Sequence, residues 1–271
     1  MATRTDPGVF GAELRRWRTI RRFSQEQLAL RTEVSQRHLS YLENGRARPS
    51  PEMVDHLAIA LEVPLRARNG LLTAAGFAPA YTAEPLDGHR LRELRRSLER
   101  VLAAHHPFPA YIVDRRWDLE IANEASATLM TRLLSPAALA EVGGNALRLL
   151  VHPDGLRPRV TNWSEAAGAL VARLRAECDH DPTDLELRDL LEEVLAYEGV
   201  ASVAEQAEHH RADLVTEIDI EVDGTVLRFY TTIMTIADAV DVTASELRLE
   251  TLLPADAPTD ERLRSLVGER P

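Results

Sequence analysis

Side chains that can hydrogen-bond DNA bases are concentrated between residues 35 and 45 of the chain. On a helical wheel of about 100° per residue, Leu39 and Leu42 lie opposite a polar arc about 140° wide. The polar arc consists of Gln36, Arg37, Ser40, Tyr41 and Asn44. Glutamine can bind adenine, and arginine can bind guanine, through two hydrogen bonds each. The pattern therefore predicts a helix that buries one face and can read bases with the other.

Residues around this helix can hold the DNA backbone. Arg46 and Arg48 follow it in a loop, where their guanidinium groups can bind phosphates. Gln25 opens the preceding predicted helix and Ser35 caps the reading helix, and helix N-termini favour anions. An ordinary solvated helix face is the alternative, but the tight turn and the surrounding arginines favour DNA reading.

Four short helices account for the first sixty-odd residues and position these side chains. Each predicted start has a recognised signal, which is a capping hydroxyl, a capping box or a proline in the first turn. The starts are Asp6-Pro7, Ser24 with Gln27, Ser35, and Ser50-Pro51. Asn44-Gly45 ends the third helix. The residues expected to face inward are Phe10, Leu14, Trp17, Leu28, Ala29, Leu39, Leu42, Met53, Val54, Leu57 and Leu61.

Charge is distributed unevenly along the chain. The whole chain carries a net charge of −11, yet residues 1–68 carry +4 and the remainder carries −15. Phosphate binding needs local cations, so a basic segment joined to an acidic one is typical of a nucleic-acid-binding module attached to a second domain. Chance placement of arginine is the alternative, and charge alone does not decide between the two.

The order of residues from Ser24 to Leu61 is that of a known family. The matching segments are Ser24-Gln25-Glu26-x-Leu28-Ala29, Val34-Ser35, Leu39-Ser40-x-Leu42-Glu43-Asn44-Gly45-Arg46-x-x-Pro49-Ser50 and Leu57-Ala58-x-Ala60-Leu61. Over residues 10–65 or so the chain resembles the Cro/C1-type (XRE family) helix-turn-helix regulators of bacteria. The resemblance implies that the third helix is the recognition helix.

The same resemblance assigns roles to individual residues. It implies base contacts from Gln36, Arg37 and Tyr41. Contacts near the DNA backbone are implied for Gln25, Asn44 and Arg46. Glu33 departs from the family pattern, which usually has glycine there, and a non-glycine residue in a left-handed turn costs about 1–2 kcal/mol. The turn before the recognition helix is therefore expected to differ slightly.

Composition excludes several chemistries. All 32 basic residues are arginine, which excludes functions that need a lysine amine, such as a phosphate-loop lysine or a Schiff base. Cys178 is the only cysteine, which excludes an intramolecular disulfide and a paired-cysteine metal site. No apolar run approaches the roughly 20 residues of a membrane span, and the first residues lack a signal peptide's apolar core. We therefore expect a soluble cytoplasmic protein without a membrane partner.

The remaining residues predict an α+β domain. Helical patterns cover 66–76, 91–102, 124–134, 136–150, 160–177, 184–197 and 200–208. Strand patterns cover 110–114, 117–121, 214–222, 226–236 and 247–253, with a hairpin turn at Asp223-Gly224. This order predicts a five-stranded, mostly antiparallel sheet with helices inserted between its second and third strands. We expect a DNA-binding domain at 1–76, a linker at 77–88 and a second domain at 89–271.

The second domain also resembles a known family. The matching segments are Pro109-Ala110-x-Ile112-Val113-Asp114-Arg115-x-Trp117, Asn123, Leu147-x-Leu149-Leu150-x-His152-Pro153-Asp154-Gly155, Arg159-x-x-Asn162-Trp163, the 213–234 hairpin, Asp241-Val242-Thr243 and Leu253-Pro254-Ala255-Asp256. Over roughly 90–258 they are similar to the ligand-binding domain of MmyB-like regulators. The resemblance implies a PAS-like fold behind the helix-turn-helix module and a small apolar effector, for which a fatty acid is the leading candidate.

Candidate ligand-binding residues are apolar rings with an arginine for an acidic head group, since small-molecule pockets are mainly apolar with a few polar groups. The candidates are Tyr111, Trp117, Arg148, Arg159, Trp163 and Phe229. Core packing is the alternative for each aromatic residue. The segments Cys178-Asp179-His180-Asp181 and Glu205-x-x-Glu208-His209-His210 contain metal-ligand residue types, but their spacing favours a solvated surface. No catalytic residue, metal site or cofactor is predicted.

These expectations define a transcriptional regulator that binds a double-stranded operator as a homodimer and responds to a small apolar, fatty-acid-like effector. A DNA-binding adaptor or antitoxin, whose second domain binds a protein, is the first alternative. An enzyme carrying its own DNA-binding domain is the second, and the absence of lysine and of cofactor motifs disfavours it.

Overall fold

A computed structural model describes residues 7–209 and 217–268. The chain divides into two compact units. The first comprises Met1–Ala83 with Ala239–Val242, and the second comprises Glu84–Asp238 with Thr243–Pro271. The boundary between Ala83 and Glu84 falls inside the stretch expected to be a linker.

Five short helices build the first unit. They are α1 (Pro7–Ile20), α2 (Gln25–Thr32), α3 (Gln36–Glu43), α4 (Pro51–Ala60) and α5 (Leu65–Ala74). Phe10, Leu14 and Trp17 of α1 are buried against Leu39 and Leu42 of α3, as predicted from their spacing. Of the other residues expected inside, Leu28, Val54, Leu57 and Leu61 are buried, and Ala29 and Met53 are half-buried against them.

The predicted caps at Ser24, Ser35 and Ser50 are confirmed. Ser24 and Gln27 form a reciprocal capping box, in which Gln27 N donates to Ser24 Oγ and Ser24 N donates to Gln27 Oε1. The hydroxyls of Ser35 and Ser50 accept from the backbone of α3 and α4. Each of these bonds joins residues three positions apart, which is why local sequence reveals them.

The turn between α2 and α3 contains a left-handed residue that is not glycine. Glu33 has φ 55° and ψ 20°, which lies in the left-handed region that favours glycine. Its side chain is exposed. The turn therefore holds a non-glycine residue in the left-handed conformation, at the cost of local backbone strain.

Glu33→Gly is expected to stabilise the first unit by about 0.5–1 kcal/mol. Relief of about 1–2 kcal/mol of left-handed strain is partly offset by the greater freedom of glycine in the unfolded chain. Hydrogen exchange of α2 and α3 peptides in the whole protein measures the change. Glu26→Gly, within the right-handed first turn of α2, serves as the control and is expected to destabilise the helix. A loss of stability in both variants would contradict the prediction.

Residues 77–83 belong to the first unit and are fixed by side chains from its helices. Asn69 Oδ1 accepts from the backbone of Ala80 and Tyr81, both at 3.0 Å, and Asn69 Nδ2 donates to Tyr81 O at 2.7 Å. The Tyr81 hydroxyl donates to Asp55 Oδ1 at 2.9 Å. This stretch therefore extends the first unit beyond α5.

The rest of the chain forms an α+β domain. Its elements are, in chain order, α6 (Arg92–Ala104), β1 (Ala110–Val113), β2 (Leu119–Ala122), α7 (Glu124–Leu133), α8 (Pro136–Val142), α9 (Ala146–Val151), a 3-10 turn (Arg157–Arg159), α10 (Trp163–His180), α11 (Leu185–Ala196), α12 (Val200–His209), β3 (Glu217–Val222), β4 (Thr225–Thr235), α13 (Val242–Glu246), β5 (Arg248–Pro254) and α14 (Ala257–Val267). The expected fold class is confirmed.

The five strands make one antiparallel sheet in the order β2-β1-β5-β4-β3. β5 lies at its centre and is covered on both faces. Leu249 packs in the cluster that includes Leu102 of α6, and Leu252 packs in the larger cluster of α7 and α9–α12. The central strand thus separates two hydrophobic clusters of the same domain.

Short segments hydrogen-bond the outer strands β3 and β2. Thr161 N donates to Asp219 O at 2.8 Å, while Asn162 Oδ1 accepts from Asp219 N at 2.9 Å and Asn162 Nδ2 donates to Glu217 O at 3.2 Å. At β2, Leu119 N donates to Gly144 O at 2.8 Å. A loop residue therefore continues the hydrogen bonding of each outer strand.

Three sequence expectations need correction or lie outside the described residues. The helix expected over 136–150 is wrong, because Gly143 adopts φ 82° and Asn145 caps a new helix, so α8 and α9 are separate. The helix expected from 160 begins at Trp163, since residues 160–162 bond β3. The hairpin is confirmed from Glu217 onward. The part of it expected over 214–216, including Leu214 and Thr216, lies outside the described residues, as do Asp6 and His210.

Candidate nucleic-acid interface and ligand site

Helix α3 has the two faces that the sequence predicts. Leu39 and Leu42 are fully buried, while Gln36, Arg37 and Asn44 are exposed. Ser40 and Tyr41 are half-buried between them. The polar face is therefore presented to solvent as one continuous surface.

Arg37 and Tyr41 contact each other on this face. Arg37 Nε donates to the Tyr41 hydroxyl at 3.1 Å, and its guanidinium carbon lies 5.3 Å from the centre of the Tyr41 ring. Gln36 forms no side-chain hydrogen bond to the described residues. The side chains of the two predicted base-contacting residues in the first turn are therefore restrained differently, because Arg37 is hydrogen-bonded to Tyr41 and Gln36 has no such bond to the described residues.

A buried carboxylate, that of Glu43, binds several side chains next to the polar face of α3. Glu43 is fully buried, and its two oxygens accept from Arg18 Nε at 2.6 Å and Arg18 Nη2 at 3.0 Å. Gln25 Nε2 donates to Glu43 Oε2 at 2.8 Å, and Arg15 Nε donates to the same oxygen at 3.3 Å. We call this set, formed by Arg15, Arg18, Gln25 and Glu43, the Glu43 network.

The Glu43 network shifts the pKa values of its charged members. Burial alone would raise the pKa of the Glu43 carboxyl, but the hydrogen bonds from Arg18, Gln25 and Arg15 outweigh it and hold the pKa below its usual value. The hydrogen bond to Glu43 raises the pKa of Arg18. Both groups are therefore charged at neutral pH.

Sequence reasoning missed this network, although one signal was present. Glu43 lies four residues after Leu39, which places it beside Leu39 at the border between the apolar and polar faces of the wheel, where a buried carboxylate would need a cation. The cations come from α1, 25 and 28 residues away, so only the fold brings them together.

Two residues predicted to contact the DNA backbone, Gln25 and Asn44, are held by members of the Glu43 network. Gln25 is oriented by Glu43, and Asn44 Oδ1 accepts from Arg15 Nη2 at 3.0 Å. Asn44 Nδ2 donates to Ser40 O at 2.7 Å. Both carboxamides at the edge of the polar face are therefore fixed before any DNA arrives.

Arg46 and Arg48, which follow α3 in a loop, have exposed side chains. Ser35 opens the helix, its hydroxyl accepting from His38 N at 3.2 Å. Arg46 and Arg48 are exposed and form no ion pair with the described residues. The backbone N–H of Arg46 donates to Tyr41 O at 2.8 Å, after a turn in which Gly45 has φ 67°. The loop is therefore anchored while its charges are free to bind phosphate.

The candidate ligand residues of the second unit do not form one site. Trp117 and Phe229 are fully buried in the larger core cluster, and Trp163 packs against it while donating from Nε1 to Leu150 O. Arg148 makes a two-bond ion pair with Glu193, at 2.7 and 2.8 Å. Arg159 Nη1 lies 3.7 Å from Glu221 Oε1 on the surface.

A polar cluster between α10 and the sheet holds Tyr111, Trp117, Arg173, Glu177, Arg248 and Glu250. Arg173 joins both carboxylates, with Nε 3.1 Å from Glu177 Oε1 and Nη1 2.7 Å from Glu250 Oε1, and its guanidinium lies 4.1 Å from the Trp117 ring centre. The Tyr111 hydroxyl donates to Glu250 at 3.0 Å. Burial, reinforced by the Glu250 carboxylate, raises the pKa of Tyr111 well above its usual value. The sequence indicated the rings of Tyr111 and Trp117 as candidates, but it did not indicate the four charged residues around them.

Two surface depressions of the second unit are small. One, of about 120 Å³, is lined by Arg116, Asn145, Arg148, Glu186, Asp189, Leu190 and Glu193. The other, of about 130 Å³, is lined by Glu99, Leu102, Ala103, His106, Ile121, Ala122, Asn123 and Glu124. Of the candidate ligand residues, only Arg148 lines either depression. Both volumes are below the about 300–1,000 Å³ of ordinary ligand pockets.

Of the two segments with metal-ligand residue types, the one around Cys178 lies at the end of α10. Cys178 is buried on the inner face of α10, so the expected solvated surface is wrong for this residue, and burial raises the pKa of its thiol to about 11. Within residues 7–209 and 217–268, no group of three or more histidine, cysteine or acidic side chains could hold a metal ion.

No helix in those ranges combines the length and apolarity needed to cross a membrane.

The fold and the exposed face of α3 define a class, namely a helix-turn-helix DNA-binding module joined to an α+β domain. Residues 9–71 match the family model described as a helix-turn-helix domain. Residues 94–266, more than half of the chain, match the model of the MmyB-like transcription regulator ligand binding domain. The chain belongs to the MmyB-like transcription regulator family, and it combines a helix-turn-helix domain with the ligand-binding domain of that family.

Two further similarities were found. Over 76 residues the chain is 37% identical to the uncharacterized HTH-type transcriptional regulator RghRB of Bacillus subtilis (strain 168). That match covers 28% of this chain and 52% of the relative, so the chain spans about half the length of the curated relative it matches. Among solved structures, ComR from Streptococcus suis is similar at 15% identity, covering 74% of each chain with a TM-score of 0.21.

Proposed function

We propose that this protein binds a palindromic operator sequence-specifically as a homodimer and that an effector in the second domain changes its affinity for that operator. The exposed face of α3 carries the proposal, because Gln36 and Arg37 are chemically suited to read bases and lie beside Arg46 and Arg48, which form no ion pair with the described residues. Dimerisation is included because one recognition helix reads too few base pairs for a specific site.

Selection of binding sites from random duplex DNA tests the first part. The whole protein is expected to enrich an inverted repeat with half-site centres about 10–10.5 base pairs, or a multiple of that spacing, apart. Two chains are expected on each selected duplex in analytical ultracentrifugation. Binding at moderate salt that does not distinguish selected from random DNA would contradict the proposal.

The effector proposed for the second domain is a small apolar molecule, with a fatty acid as the leading candidate. Membership of the family with a ligand-binding domain supports a small-molecule effector. A ligand that favours one conformation of the domain shifts the population toward that conformation. Effector binding and operator affinity would then be linked reciprocally.

Mass spectrometry of natively purified protein after denaturation tests the second part. A recurrent lipid, which on re-addition changes the operator dissociation constant, is the expected result. A stoichiometric polypeptide would instead support an adaptor or antitoxin. Re-addition of the recovered lipid without any change in operator affinity would contradict the proposed link between the two domains.

Arg46→Ala is expected to weaken binding to all DNA sequences by a similar factor. The lost phosphate contact should reduce the slope of log K against log salt by about 0.9 for each contact removed. Titrations at several salt concentrations, with operator and random duplexes, provide the measurement. Arg31→Ala is the control, since Arg31 is already paired with Glu62 at 2.9 Å, and its slope should equal that of the unmodified protein. A sequence-dependent loss for Arg46→Ala would contradict a phosphate role.

A further inference from the structure

We propose that Tyr41 is a positioning residue that holds Arg37 ready to bind a guanine in each operator half-site. The inference rests on the proposed sequence-specific function and identifies the base that Arg37 reads. Tyr41 acts on the base through Arg37, because its hydroxyl oxygen accepts from Arg37 Nε at 3.1 Å and its ring lies under the guanidinium.

The contact leaves one edge of the arginine available. Nε is occupied by Tyr41, while Nη1 and Nη2 form no hydrogen bond to the described residues. These two nitrogens form the end-on edge of a planar fork, whose spacing fits two acceptors side by side. Guanine presents such a pair in the major groove, at O6 and N7, whereas adenine presents one acceptor and one donor. The geometry therefore selects guanine.

The residue that holds Arg37 is itself held firmly. Tyr41 O accepts two backbone hydrogen bonds from the following loop, from Arg46 N at 2.8 Å and Ala47 N at 3.2 Å. Its side chain is half-buried, while that of Arg37 is exposed. Tyr41 thus joins the anchored end of α3 to an arginine that would otherwise sample many rotamers.

Fixing an exposed arginine before binding removes part of the entropy cost of immobilising it in the complex. That cost corresponds to about 2- to 10-fold in affinity for one flexible side chain. The benefit appears only where Arg37 makes its directed contact, so it should enlarge discrimination at one guanine and leave the other base pairs unchanged.

The test uses the whole protein and operator duplexes obtained by selection. Each guanine is replaced in turn by 7-deazaguanine, which lacks the N7 acceptor, and dissociation constants are measured for the unmodified protein, Y41F, Y41L, R37A and R37A/Y41F. Hydrogen exchange of α3 peptides verifies that each variant keeps the helix. Y41F removes only the hydroxyl, and Y41L removes the ring as well.

For the unmodified protein, one guanine in each half-site should show a loss of about 10-fold on 7-deaza substitution. Y41F should reduce that discrimination by about 2- to 10-fold, Y41L at least as much, and R37A should abolish it. In the R37A background, Y41F should have no further effect. Unchanged discrimination in Y41F, or a Y41F effect that persists without Arg37, would overturn the inference while leaving the proposed function intact. A selection without any consensus would overturn both.

Discussion

Glu43→Ala is expected to destabilise the first unit by about 3–5 kcal/mol, because removing one member of a buried ion pair leaves the other charge without a partner. The Arg18 side chain is only 14% exposed, and Glu43 supplies both of its carboxylate contacts. Hydrogen exchange of α1 and α3 peptides in the whole protein measures the loss. Operator binding should fail together with the fold of α3.

Glu13→Ala is the matched control for Glu43→Ala. Glu13 pairs with Arg16 on the surface of α1 at 3.8 Å, and both side chains are more than one-third exposed. Surface pairs of this kind contribute at most about 1 kcal/mol. Equal losses of stability in the two variants would show that the burial of Glu43 has no energetic role.

The Glu43 carboxyl makes the stability of the first unit fall at acidic pH. An unfolded glutamate titrates at about pH 4.3, and the pKa of Glu43 in the folded protein is lower. Its stabilising contribution is therefore complete above that pH and is lost as the pH falls through the folded pKa. Glu43→Gln cannot titrate, so the difference in unfolding free energy between the unmodified protein and this variant should shrink below about pH 4. A difference that stays constant from pH 7 to pH 3 would contradict this assignment.

Gly11→Ala should have the second-largest effect on the first unit. A Cβ at residue 11 would lie 2.6 Å from both Glu43 O and Leu42 O, so α1 and the end of α3 must separate. Overpacking of this kind costs about 1–3 kcal/mol. Because Arg15 and Arg18 of α1 hold Glu43, the separation should also disturb the Glu43 network and weaken operator binding. Hydrogen exchange and operator titration measure the two effects.

Gly70→Ala provides the opposite case in the same unit. Gly70 lies within α5, and a Cβ there would meet no atom within 4 Å. Alanine should therefore stabilise the helix by about 0.5–1 kcal/mol through its lower backbone freedom. Gly11→Ala and Gly70→Ala should move the stability of the first unit in opposite directions, and a shift of the same sign would contradict the packing explanation.

Local chemistry explains which parts of the fold the sequence predicts. Capping by Ser24, Ser35 and Ser50, and the hairpin at Asp223-Gly224, depend on residues within a few positions of each other. The break between α8 and α9 depends on local residues as well, but the apolar periodicity of residues 136–150 obscured Gly143. Local signals therefore predict element starts better than interruptions.

Long-range pairing explains what the sequence could not predict. Glu43 meets Arg18 across 25 residues, and Arg173 meets Glu250 across 77. Aromatic residues such as Trp117 and Phe229 occur both in ligand pockets and in hydrophobic cores. Which of the two applies depends on the packing of the sheet against α10, which the local sequence does not reveal. The recognition face was predictable because one short helix carries it.

The hydrogen bonds that Thr161, Asn162 and Gly144 make to β3 and β2 have a consequence for self-association. Exposed outer strands can add a strand from a second chain, which leads to sheet-mediated dimers or aggregates. At Glu217, Asp219 and Leu119 the backbone groups that would recruit such a strand are already occupied within the same chain. Strand addition at these positions would first have to break the hydrogen bonds to Thr161, Asn162 and Gly144.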